Sequence, residues 1–186
     1  TNPYFDNIEK YRDVESINYY NILKEQGKSE EEILQILKAK SRDNSRTPVQ
    51  WDDSENAGFT KGESWIPVSS EYKRINVEQA LKDEDSIFYH YQKLIRLRKD
   101  YEVISNGSIK FILEENNKVL SYVRNLGDAT VLVINNFYGE STKVEIPDEY
   151  ANESAKSKIL ISNYKDSSVL NKELNLRPFE SIVYHI

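Results

Sequence analysis

Guanidinium, carboxylate, amide and indole groups are crowded into the segment from Ser41 to Asp53, Ser-Arg-Asp-Asn-Ser-Arg-Thr-Pro-Val-Gln-Trp-Asp-Asp. Arg42, Asp43 and Arg46 are spaced for charge-assisted hydrogen bonds that would organise the segment and leave one guanidinium facing a ligand. Pro48 is excluded from a helix interior and pushes Thr47 into extended geometry, so a fixed loop is expected here. On spacing alone the simpler reading is an ion-paired loop packed beneath Trp51. Other chemistries are poorly served. The two histidines, His90 and His185, are isolated and cysteine is absent, so no metal centre, catalytic triad or disulfide is expected. There is no glycine-rich phosphate loop, and no cofactor is called for.

Composition narrows the partners. A formal net charge of −6 leaves no basic face for a nucleic acid. The basic run Lys93–Lys99 alternates with apolar positions and reads as a solvated helix face. No apolar run approaches the ~20 residues that span a bilayer, and no signal peptide opens the sequence, so neither a membrane partner nor export is expected. Together with the missing cysteine, this allows a reducing, cytoplasmic location. The sequons at Asn106 and Asn152 are then simply turns.

The elements that must hold the loop can be placed around it. Asp13 is positioned to cap a helix running to about Gln26, with Ile17, Tyr20 and Leu23 on its apolar face and Gly27 at its end. Ser29 and Glu32 have capping-box spacing before a second helix to about Lys40, carrying Ile33, Leu34, Ile36 and Leu37. Residues 54–75 read as loop, with Phe59 and Trp65 expected as packed anchors. Asn76 caps a short helix. Ile87, Phe88, Tyr91, Leu94 and Ile95 then mark a strongly amphipathic helix whose stripe must be buried. From about Ser105 the pattern changes to short β-favouring runs: 109–113, 119–124, 130–136, 143–146, 158–162, 174–176 and 179–184. Such spacing predicts an antiparallel sandwich of roughly 80 residues.

The string SRDNSRTPVQWDDSENAGFT resembles the signature segment of the α-glucosidase branch of the α-amylase superfamily, glycoside hydrolase family 13. NPYFDNIEKYRDVESINYY before it, and GESWI, INVEQAL, DSIFYHYQKLIRLRK and LRPFESIVY after it, extend the resemblance along the whole chain. YRDVESINYY with LKEQGKSEEEIL is most similar to the trehalose-6-phosphate hydrolases, whose neighbours, the oligo-1,6-glucosidases and dextran glucosidases, share the frame.

The resemblance implies an α+β chain. Residues 1–104 would be the loop and helices that end a (β/α)8 catalytic barrel, and residues 105–186 an antiparallel β-sandwich C-terminal domain. It implies the edge of a sugar site. Arg42 is similar to the arginine that holds the non-reducing glucose, and Glu15, inside YRDVES, to a glutamate that faces the next sugar. Asp43, Asn44 and Arg46 would brace the loop behind them. Without the resemblance, Glu15 reads as a solvated first-turn glutamate favoured by the helix dipole. None of the carboxylates here matches the family's catalytic motifs, which lie in segments preceding Thr1, so no catalytic residue is expected and the chain alone is expected to be inactive. Lys10 and Arg12 are the available cations for a phosphorylated sugar. With the barrel's other elements absent, residues 1–104 are expected to be partly disordered, repacked or covered by a second chain, with self-association through the 86–99 helix. A non-catalytic scaffold or sugar-binding module is the rival reading.

Overall fold

In the computed structural model of the chain, residues 2–3 and 5–186 are described. They form two compact units, residues 1–88 and 89–186.

The first unit is built on two helices. Helix α1 (Val14–Glu25) starts where the Asp13 carboxylate accepts the Glu15 N–H, and it ends at Gln26, before Gly27 at φ 81°. The end needs a left-handed residue, which glycine adopts without a Cβ clash. Helix α2 (Glu30–Lys40) opens with the full capping box: Ser29 accepts the Glu32 N–H, and Glu32 accepts the Ser29 N–H. Their facing stripes bury Tyr20, Leu23, Ile33, Leu34 and Leu37 with Phe5, Tyr11 and Ile66. Phe5 and Tyr11 meet edge to face at 4.9 Å, so the segment before α1, read from sequence as loop alone, supplies part of the core. It also holds a 3-10 turn at Ile8–Lys10.

Residues 42–45, 55–58 and 70–73 form single 3-10 turns, and Asn76 caps the short helix α3 (Val77–Lys82). Asn56 and Ala57 take left-handed conformations, φ 53° and 56°. For alanine this costs about 1–2 kcal/mol. Next to them, a Cβ on Gly58 would lie 2.6 Å from the Asp52 carboxylate, so only glycine fits.

Helix α4 (Ile87–Asp100) forms over the expected span, but it buries none of its residues. Ile87, Phe88, Tyr91, Leu94 and Ile95 are all exposed, Ile87 at 87%. Burial of this stripe was expected, and among the described residues these side chains remain exposed. The described residues of 1–88 pack around an apolar core and helix caps of their own.

The second unit, beyond α4 and the short helix α5 (Glu102–Asn106), contains strands in each of the seven predicted places. They are β1 (Ser108–Ile112), β2 (Val119–Leu126), β3 (Ala129–Asn136), β4 (Thr142–Glu145), β5 (Lys158–Ser162), β6 (Glu173–Leu176) and β7 (Ser181–His185). A four-residue helix α6 (Asp148–Ala151) interrupts them. One antiparallel sheet runs β1-β2-β3-β7-β5 and a second pairs β4 with β6. Side chains from both sheets, including Val123, Leu132, Ile134, Val144, Leu174, Leu176, Ile182 and Tyr184, share one core. Each such fully buried apolar side chain contributes roughly 1.5–3 kcal/mol.

At one end of the β6–β7 connection the Arg177 guanidinium binds the buried Glu180 carboxylate at 2.8 Å and Asp166 at 2.7 Å, and lies 3.9 Å from the Tyr164 ring centre. Burial alone would raise the Glu180 carboxyl, but hydrogen bonds from Arg177 and Ser167 outweigh it and hold it below its ordinary value.

Candidate sugar-site edge

The Ser41–Arg46 loop is locked to the start of α1 by two buried aspartates that cap each other's segment. The Asp43 carboxylate, fully buried, accepts the backbone N–H of Arg12 at 2.7 Å and of Asp13 at 3.0 Å. The Asp13 carboxylate in turn accepts the Arg42 N–H at 3.2 Å and the Ser16 hydroxyl at 2.8 Å. Burial pushes the Asp13 carboxyl up. The bonds from Ser16, Arg42 and Glu15 more than offset that, and it lies below its ordinary 3.8. The lowered Asp13 carboxyl keeps its charge, and with it these charge-assisted bonds, below the ordinary carboxylate range.

The lock fixes where the flanking side chains emerge. Arg42 and Glu15, singled out from the sequence, meet at the surface: Arg42 Nη2 lies 2.9 Å from Glu15 Oε2, with both side chains about two-thirds exposed (66% and 69%). Arg46 extends to the other Asp43 oxygen at 3.6 Å. The Asn44 amide donates to the Lys38 carbonyl at 2.9 Å, tying the loop to the end of α2. The structure thus brings Arg42, Glu15, Asp43 and Arg46 together, while Asn44 acts on the helix end. The two aspartates lie 30 residues apart, and sequence spacing gave no sign that they would interlock.

Beside this edge a cleft of about 560 Å³ runs along α1, lined by Asp13, Val14, Glu15, Tyr19, Ile22 and Lys40 among others. Glu15 lines this cleft and pairs with Arg42; a carboxylate and a guanidinium fork can bind hydroxyls, one as acceptor and the other as donor. The cations expected for a phosphate are already engaged: Lys10 pairs with Asp6 at 2.7 Å, and Arg12 donates to the Glu9 carbonyl at 2.7 Å. Among the described residues, no group of three or more metal-binding side chains comes together. No helix among the described residues is long and apolar enough to cross a membrane.

The aromatic residues of the loop depart from expectation. Phe59 and Trp65, predicted as packed anchors, are exposed at 47% and 68%, and Trp51, read as the cover of the loop, at 51%. Polar caps and backbone hydrogen bonds hold the loop, and the rings are left outside.

The sequence matches two family models. The family model described as the alpha amylase catalytic domain matches residues 9–107, and one described as the alpha-amylase SusG C-terminal domain matches residues 119–183. The chain belongs to the α-amylase family.

Among individual relatives, it is 48% identical over 186 residues to a trehalose-6-phosphate hydrolase of Bacillus subtilis, covering 100% of this chain and 33% of that protein. It is 44% identical over 185 residues to an oligo-1,6-glucosidase of Halalkalibacterium halodurans, covering 99% of this chain and 33% of the relative. The crystal structure of Bacillus licheniformis trehalose-6-phosphate hydrolase superimposes with a TM-score of 0.90 at 55% identity, over 100% of this chain and 33% of that one. The chain therefore spans about a third of the length of the relatives it matches.

Proposed function

We propose that this chain is the C-terminal third of an intracellular α-glucosidase that hydrolyses trehalose 6-phosphate with retention of configuration. The observation that carries the reading is the 55% identity, with a TM-score of 0.90, to a trehalose-6-phosphate hydrolase across all of this chain. Residues 1–104 would supply the last loop and helices of a catalytic barrel, and residues 105–186 a β-sandwich behind it. The exposed stripe of α4 would face the preceding part of the longer protein, and in its absence would favour self-association.

In this reading Arg42 donates to the hydroxyls of the glucose being released and Glu15 accepts from those of the neighbouring sugar. Asp43 and Asp13 fix the backbone from which both side chains emerge, with Arg46 and Asn44 holding the loop. Retaining hydrolysis needs a nucleophilic carboxylate and an acid/base carboxyl roughly 5–5.5 Å apart, and these would lie in the preceding segments. The 186-residue chain alone is therefore inactive.

Oligo-1,6-glucosidase activity is the second reading, supported by the 44% identity to such an enzyme and by the engagement of Lys10 and Arg12. A non-catalytic binding module is the third. Release of glucose from trehalose 6-phosphate and isomaltose, assayed with this chain and with the chain extended N-terminally through a full barrel, separates them. Cleavage by the extended protein alone is expected. Faster cleavage of isomaltose would transfer the assignment to the second reading, and cleavage of neither sugar would leave only the third.

A further inference from the structure

A second concave surface lies in the same unit, away from the residues assigned above. It is a groove of about 490 Å³ between the Trp51 loop and α3. Trp51, Val77 and Leu81 give it an apolar floor, and Asp52, Asp53 and Glu78 a carboxylate rim. Its walls are fastened together by backbone bonds: the carbonyls of Gln50 and Trp51 accept the N–H groups of Val77 and Glu78 at 2.8 and 2.9 Å.

The Trp51 backbone is held on both sides, because its own N–H donates to the Ala57 carbonyl at 2.9 Å. That carbonyl is turned inward by the left-handed conformations of Asn56 and Ala57. Strained backbone that serves to fix one residue is an observation that asks for a purpose. The residue fixed here is an indole left 51% exposed, with Leu81 also exposed at 48%.

We propose that this groove is a binding site for an uncharged pyranoside, with the sugar's C–H face stacked on the Trp51 indole and its hydroxyls donating to Asp53 and Glu78. The lining has the amphipathic character of such a ring, apolar across its face and hydroxylated around its edge. An indole offers a rigid apolar face to it, and carboxylates are pure acceptors for hydroxyl donors. Glu78 also pairs with Lys82 at 2.8 Å, which leaves a second oxygen to accept from a ligand. The carboxylate rim excludes anions, so a phosphorylated sugar is a poor ligand here. That separates this groove from any site that selects a sugar phosphate. The volume falls in the range of about 300–1,000 Å³ usual for small-molecule sites.

The test is binding to the 186-residue chain. It does not depend on whether an extended protein hydrolyses anything. With Trp65→Phe removing the other indole, Trp51 emission is followed during titration with maltose, isomaltose, glucose and glucose 6-phosphate. A saturable change is expected with the neutral sugars, and glucose 6-phosphate should bind at least about tenfold more weakly than glucose. Calorimetry on Trp51→Ala should show binding weakened by about tenfold or more. Should Trp51→Ala lose its far-UV circular dichroism, Asp53→Asn/Glu78→Gln serves instead, altering only exposed side chains. It should weaken binding about fivefold. No saturable change, unchanged affinity in the Trp51 or double variant, or equal affinity for glucose and its 6-phosphate would each overturn the proposal.

Discussion

The unit of residues 89–186 and the unit of residues 1–88 are held together by different physics. In the first, two sheets close on an apolar core in which Val123, Leu132, Ile134 and Tyr184 are fully buried, and the Arg177, Glu180 and Asp166 cluster fastens one end. In the second, a smaller core is supplemented by a run of polar caps: Asp13, Ser29, Ser41, Asp43 and Asn76 each accept backbone N–H groups. The strand unit is stabilised mainly by apolar burial. The helical unit gains order from polar and acidic side chains at helix and loop termini. A region that positions ligand-facing side chains does so with short polar reach, which fixes backbone without covering the surface.

The sharpest way to break this comparison is in the strand core. Ile134→Ala empties a site with no exposure, and about 3 kcal/mol of stability should be lost, read as a lower urea midpoint for the strand unit. Loss below about 1 kcal/mol would mean that this core is not what holds the unit. Next is Asp43→Ala, which strands the Arg12 and Asp13 N–H groups. A loss of about 2 kcal/mol is expected, with faster amide exchange confined to residues 1–88. Exchange rising equally in both units would contradict their separate stabilisation.

A third test uses pH. Asp13 and Glu180 both titrate below their ordinary values of 3.8 and 4.5. Each therefore binds its proton more readily in the unfolded chain, and its stabilisation is complete above those ordinary values. That contribution is lost as pH falls through the lower folded values. Unfolding midpoints measured downward from about pH 5 should fall in both units. Asp13→Asn should flatten the dependence only in the helical one.

The smallest effect is expected at Glu15→Gln. It breaks an exposed pair and should change stability by less than about 1 kcal/mol. A larger loss would turn the Arg42–Glu15 contact from a ligand-facing pair into a structural one.

What was legible in the sequence follows from the range of each interaction. Asp13, Gly27, Ser29 with Glu32, and Asn76 act within a few residues, so their caps could be read directly. Strands β1 to β7 announced themselves by β-branched runs between turns. The Asp13–Asp43 interlock could not be read, because it depends on how α1 and α2 fold the chain back. The outward turn of Trp51, Phe59 and Trp65 was hidden for the related reason that aromatic identity does not specify which face the loop covers. The α4 stripe was correctly recognised as apolar. Its exposure depends on what surrounds the helix, and periodicity carries no information about that.

Strand β7 lies between β3 and β5, although it is the last of the seven in sequence. On a ribosome, β1, β2 and β3 emerge early and can pair as a meander, while β5 must wait for its only neighbour in the sheet. A stop codon before Ser181 would thus remove two adjacent pairings at once and leave β5 unpaired, with bare edges that invite aggregation. For a nascent chain, the few residues of β7 decide whether the sheet is completed or exposed.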